Sequence, residues 1–174
     1  DVEGGIAPSP YAGVGPNVLR AVLGYAGEPV KLTRGGRATI GRGLVETRRK
    51  TISVPGHLPL RSTRFSLVDV PNLRLIPPVY PRMRNIWMGA GPRPEVLHRV
   101  LNTLARLRSL GLVPRLSPLA GLCHWILNAM KFGEHRGGMY VSAQSTTGQA
   151  ETWHLIAEGD DGPAGLAPFQ VGPG

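Results

Sequence analysis

Pro94-Glu95-Val96-Leu97-His98-Arg99-Val100-Leu101-Asn102-Thr103-Leu104-Ala105-Arg106-Leu107-Arg108-Ser109-Leu110 is the stretch on which the fold turns. Val96, Leu97, Val100, Leu101, Leu104, Leu107 and Leu110 recur at spacings of one, three and four, the period of an amphipathic helix. Pro94 suits the first helical turn, where its missing N–H has no partner to lose, and Gly111 suits a left-handed stop. On this reading the apolar stripe faces a core, while His98, Arg99, Arg106 and Arg108 face water. Ser117 and Pro118 then open a second helix, with Leu119, Leu122, Ile126, Leu127 and Met130 inward and Gly133 closing it. Residues 91–133 are therefore expected to form a helical hairpin, near 94–132, that serves packing rather than chemistry.

The flanks read as sheet. Residues 16–25 repeat the helical pattern through Val18, Leu19, Val22 and Leu23, and Gly24 or Gly27 is expected to stop them. Residues 30–33, 37–40, 44–54 and 64–70 are rich in Val, Ile, Thr and Leu between Gly35-Gly36, Pro55-Gly56 and Pro59, which predicts strands and turns. Pro77, Pro78 and Pro81 mark an irregular crossing that leads into a buried strand over residues 84–88. Residues 139–146 and 151–158 flank Thr147-Gly148 and alternate as a β-hairpin does. The opening twelve residues, Gly/Pro-rich, read as an extended strand or loop. The order predicts an α+β fold, a mixed β-sheet with helices packed on one face. One domain is expected over residues 1–163, with a loose Gly/Pro-rich tail over 164–174.

At 174 residues with 41% hydrophobic content, the chain can bury a real core. Its single cysteine, Cys123, cannot form an internal disulfide and reads as a small buried apolar residue. The longest apolar run, residues 116–130, is broken by Ser117, Pro118, His124 and Asn128, and is too short to span a bilayer. No membrane association and a cytoplasmic location are expected. Charge is uneven: residues 34–115 hold 16 Lys/Arg against Glu46, Asp69 and Glu95. A basic middle suits a nucleic acid, an anionic cofactor or an acidic partner domain.

Familiar site motifs fail on context. Gly13-Val14-Gly15 begins like a dinucleotide fingerprint, but Pro8 and Pro10 stand where a strand is needed and the third glycine is missing. Residues 36–43 nearly match a phosphate loop, with Arg42 in place of the lysine and Gly43 in place of Ser/Thr. Both read as turns, so no nucleotide loop is expected on this chain. His57, His98, His124, His135 and His154 lie far apart, which predicts no metal site. Three stretches carry more chemistry than structure needs. Trp87-Met88-Gly89-Ala90-Gly91-Pro92 ends on small residues, Glu134-His135-Arg136 packs an acid, a base and a guanidinium together, and Arg61, Arg64, Arg82 and Arg84 bracket the central strands.

These stretches resemble the C-terminal part of saccharopine dehydrogenase-like oxidoreductases. The likeness rests on Gly4-Gly5-Ile6-Ala7-Pro8 with residues 13–19, Phe65-Ser66-Leu67-Val68-Asp69-Val70-Pro71, Trp87 to Pro92, Glu134 to Met139, and Glu158-Gly159-Asp160-Asp161-Gly162-Pro163. The resemblance implies a mixed-sheet domain that closes the substrate cleft and contributes to a homodimer. It implies an upstream Rossmann domain, absent from this chain, that holds NAD(P). The implied function is substrate binding and dimerisation in an NAD(P)-dependent oxidoreductase acting on a small molecule, with this chain alone inactive and free of cofactor. It assigns no catalytic residue at a matched position. From the residues themselves, Arg61, Arg82, Arg84 and Arg136 are candidates for a substrate carboxylate or phosphate, with Trp87 beside them and His135 as the proton-transfer group. The alternative is a stand-alone basic module for nucleic acid or another polyanion. Against nucleic acid stand the 6% aromatic content and the lack of a recognition motif.

Overall fold

The computed structural model describes residues 1–12, 15–129 and 135–158. In chain order its elements are β1 (Val2–Ala7), α1 (Pro16–Tyr25), β2 (Pro29–Arg34), β3 (Arg37–Arg42), β4 (Thr47–Ile52), β5 (Leu60–Leu67), α2 (Asn72–Val79), β6 (Ile86–Ala90), α3 (Glu95–Ser109), α4 (Ala120–Ala129), β7 (Arg136–Gln144) and β8 (Ala150–Glu158). A single turn of 3₁₀ helix, Ser117–Leu119, leads into α4. Six strands form one mixed sheet in the order β4-β5-β6-β1-β7-β8, and β2-β3 make a separate hairpin. β1 runs parallel to β6, and every other pairing is antiparallel.

The sheet curls until its two edges meet. The Ser53 N–H, just beyond β4, reaches His154 Nδ1 on β8 at 3.2 Å. Inside the curl lie Ile52, Leu60, Phe65, Leu67, Ile86 and Tyr140, closed off by Val30 and Leu32 of the hairpin and Leu73 of α2. On the other face α1, α3 and α4 bring Leu19, Leu23, Leu101, Ala105 and Cys123 onto Leu44 and Val68. Alternation along β5 separates the two cores: Phe65 and Leu67 point into the curl, Ser66 and Val68 toward the helices. The result is α+β. Cys123 is buried, and burial pushes its thiol above its ordinary value. Among the described residues, no helix is long and apolar enough to cross a membrane.

Several expectations need correction. α3 has the expected extent, but its buried face is turned: Val96, Val100 and Leu110 are exposed, while His98 and Asn102 are buried with Leu97, Leu101 and Ala105. Partners elsewhere in the fold hold those polar groups inside. Arg108 is also mostly covered, at 12% side-chain exposure. In α4, Leu122 is exposed rather than inward, and the backbone of α4 lies closest to α1. The proline-rich crossing is the end of α2, with Pro77 and Pro78 inside it. Their fixed φ fits a helical turn, but each removes a backbone donor and crowds the preceding turn, and the helix ends one residue later at Val79. Met130, Gly133, Gly13 and Val14, together with residues 131, 132, 134 and 159–174, lie outside the described residues. The phosphate-loop near miss is the β2–β3 hairpin, turned at Gly35 and Gly36 with φ of 58° and 75°.

The exit of α1 shows how tightly its helix layer is fixed. Gly27 follows it at φ 77°, and a Cβ there would stand 2.5 Å from the Ala105 carbonyl oxygen of α3. Gly27→Ala meets both a left-handed backbone and an immovable carbonyl, and should destabilise the fold by about 2 kcal/mol in a urea titration. A loss below half of that would mean that α1 and α3 can part without consequence.

Candidate functional site

β1 and β6 are the parallel neighbours, and both end on the same side of the sheet. The chain leaves β1 through Pro8 to Ala12 before α1, and leaves β6 through Gly91 to Pro94 before α3. The Gly91 N–H donates to the Ile6 carbonyl at 2.8 Å, which ties the two exits together. In sheets with parallel strands, the crevice beyond the carboxyl ends is where ligands bind. Here that crevice holds two joined recesses.

The first is an apolar cavity of about 180 Å³ under the helix layer, lined by Ile6, Leu19, Leu23, Val68, Leu97 and Leu101 among others. The second, about 360 Å³, carries the charged and polar side chains of Arg61, Thr63, Arg64 and Glu95. Pro10, Pro92, Arg93, Pro94 and His98 belong to the walls of both. Among the described residues, the second recess carries the guanidiniums of Arg61, Arg64 and Arg93 and the carboxylate of Glu95. That carboxylate is already shared: Arg49 lies 2.7 Å away, Arg99 3.0 Å and Arg64 3.4 Å. Partial burial pulls the Glu95 carboxyl up, but Arg99, Arg49 and Arg64 outweigh it and hold the group below its usual range. Arg61 is exposed and has no ion-pair partner among the described residues.

His98 stands at the junction in a buried network with Ser66 and Asn102. Asn102 Nδ2 lies 2.7 Å from the Leu44 carbonyl oxygen, which can only accept, so the amide nitrogen faces it. The second Nδ2 hydrogen goes to Ser66 Oγ at 2.8 Å. The Ser66 oxygen also lies 2.6 Å from His98 Nε2, and with two lone pairs and one hydrogen it serves either ring tautomer, donating to a bare Nε2 or accepting from Nε2–H. His98 Nδ1 has no partner among the described residues, so it is the nitrogen available to an occupant of the recesses. Burial, reinforced by Arg64 and opposed by Glu95, pushes the ring down to about 4, so it is neutral at pH 7. Asn102 Oδ1 is buried without a partner.

The sequence-predicted residues divide by place. Arg61 lines the polar recess. The His135 ring lies against Tyr11, centroids 4.5 Å apart and planes tilted by 49°; Pro10 and Ala12, on either side of Tyr11 in the chain, line the apolar cavity. Arg136, at the start of β7, donates to the Leu58 carbonyl at 2.5 Å and approaches Glu158 at 3.9 Å. Arg82 and Arg84 are exposed before β6, at the opposite end of that strand from the recesses. Five residues of strand span roughly 16 Å, so neither arginine shares a site with Arg61. Trp87 is 2% exposed inside the curl, under the Arg48 guanidinium at 4.6 Å. Trp87 is a core residue.

Sequence reasoning passed over His98, Ser66 and Asn102. A usable signal was present: Leu97, His98, Leu101, Asn102 and Ala105 follow a helical face as regular as the one chosen. Much of the basic middle is internally paired, Arg48 and Lys50 with Glu3, Arg34 with Glu46, Arg74 with Asp69. Among the described residues, no three His, Cys, Asp or Glu side chains gather as a metal site would need. No protein-family model matches this chain, and no curated protein matches it.

Proposed function

We propose that this chain is the substrate-binding domain of an NAD(P)-dependent oxidoreductase similar to saccharopine dehydrogenases. The observation that carries the reading is the two-part crevice at the carboxyl ends of β1 and β6, with an apolar wall, a cationic wall and His98 between them. Such a crevice binds and orients a small molecule. The dinucleotide does not fit on the described residues. The one Gly-rich stretch that approaches a phosphate loop forms a two-stranded hairpin, with no helix N-terminus after it to receive a pyrophosphate. The proposal therefore places NAD(P) on a separate Rossmann domain and gives this chain only binding and positioning.

A homodimer and a cytoplasmic location belong to the same reading. Trp153 and Leu155 of β8 are exposed, a surface that a second copy could cover. The experiment is the intact mass and coding sequence of the native polypeptide, followed by an NADPH fluorescence titration. The reading expects a strand followed by a Gly-x-Gly-x-x-Gly helix entrance upstream and saturable NADPH binding. A native polypeptide that lacks such a domain and leaves NADPH fluorescence unchanged would end it.

A further inference from the structure

We propose that the crevice takes an amphiphilic carboxylic acid: an unbranched chain or ring of about six or seven carbons in the apolar cavity, with its carboxylate on Arg61 and Arg64. The inference rests on the substrate-binding reading above and names the class of molecule that the site would accept.

The size follows from volume. A dry apolar cavity of roughly 150 Å³ accommodates benzene, and this one measures about 180 Å³. Leu19, Leu23, Leu97 and Leu101 offer nothing polar to an occupant there, so a hydroxylated or charged body would lose its hydration without return. The charge follows from the adjoining recess. Among the described residues Glu95 is the carboxylate of the recess, and it is already divided among Arg49, Arg64 and Arg99. Arg61 brings an unpaired fork to the same wall, and guanidinium forks match a carboxylate bidentately. Between the two parts stands His98, whose Nε2 is engaged by Ser66, leaving Nδ1 to hydrogen-bond a hydroxyl near the head of the chain. A dicarboxylate as short as succinate meets the cationic wall but leaves the cavity empty, and an alkanol fills the cavity but leaves Arg61 unanswered.

The test is calorimetric titration of the full native polypeptide with a series of linear carboxylates from acetate to decanoate, beside hexan-1-ol and succinate. Affinity should rise about fourfold per methylene and level off beyond about seven carbons, where the cavity is full. Arg61→Ala should weaken heptanoate about tenfold and leave hexan-1-ol unchanged. Val18→Trp, at a 58% exposed position on the cavity wall, should abolish the dependence on chain length. Because both positions are exposed, neither variant threatens folding. Equal affinity along the series, or succinate binding as tightly as heptanoate, would overturn the assignment. NADPH titration separates it from the oxidoreductase reading. A rising series without NADPH binding keeps the pocket and removes the dehydrogenase, while NADPH binding with a flat series does the reverse.

Discussion

Arg108→Ala should lower the free energy of unfolding by about 3–4 kcal/mol, seen as a shift of the urea midpoint at unchanged m-value. The reason lies at the end of α1, a helix with no basic residue in its last turn. Its final carbonyls need donors. Val22 and Tyr25 are answered by the backbone N–H groups of Ala26 and Glu28. Leu23, Gly24 and the following Ala26 are answered from outside the helix, by Arg108 Nη1 at 3.1, 3.0 and 3.0 Å. The other terminal nitrogen of the guanidinium is bonded to Glu28. One side chain on α3 thus caps α1, supplies positive charge where its dipole is negative, and joins two helices far apart in sequence. Bonds from a charged donor contribute roughly 1.5–3 kcal/mol each at most and share energy when they share a donor. Truncation would also strip the buried stem of its packing. Arg108→Lys should recover less than half of the loss, because an ammonium on a flexible stem cannot hold the carbonyl cluster and Glu28 together. A loss under about 1 kcal/mol for the alanine variant would mean that water caps α1 equally well.

Arg108 also shows where the sequence stops speaking. Helix positions were legible because periodicity is local: α1 falls on residues 16–25 and α3 on Glu95–Ser109. The β7–β8 hairpin was legible through Thr147-Gly148, with Gly148 at φ 89°. Which side of α3 is buried was not local. Val96 and Val100 are more apolar than His98 and Asn102, yet the latter pair is inside because Ser66 and the Leu44 carbonyl are waiting there. A polar residue whose partner lies tens of positions away looks like a surface residue. β1 was obscured for a related reason. Gly4-Gly5 has little strand propensity, but a Cβ on Gly5 would sit 2.5 Å from Tyr140 Cε1 and 2.8 Å from Phe65 Cδ1. The glycine is there so that two rings can close over the middle strand of the sheet, a need that appears only once β5 and β7 are in place. The site inherits the same blindness. Arg61 was found by charge, whereas His98 was assigned to solvent.

That buried histidine should make stability fall steeply in mild acid. The His98 ring titrates at about 4 in the fold, against about 6.5 in an unfolded chain. Between those values the unfolded chain binds a proton that the folded one refuses, so stability rises with pH across the window. The contribution is complete above about pH 6.5 and drains away as pH falls toward 4, by about 1.4 kcal/mol per unit and roughly 3 kcal/mol in all. Burial is the main cause, Arg64 adds to it, and Glu95 acts against it. Glu95 itself works in a lower range. Its carboxyl is held below the usual value by Arg99, Arg49 and Arg64, so its contribution is present above about pH 4.5 and is lost only below that. Urea midpoints between pH 5 and 7.5 therefore separate this histidine from Glu95. His98→Gln keeps an acceptor for the Ser66 hydroxyl but carries no titrating ring, and it should flatten the profile between pH 5 and 6.5. Parallel profiles for the two proteins would show that the ring is wetter than its 1% exposure implies. A flattened profile would mean that the buried ring held against Ser66, at the junction of the two recesses, carries the acid sensitivity of the fold.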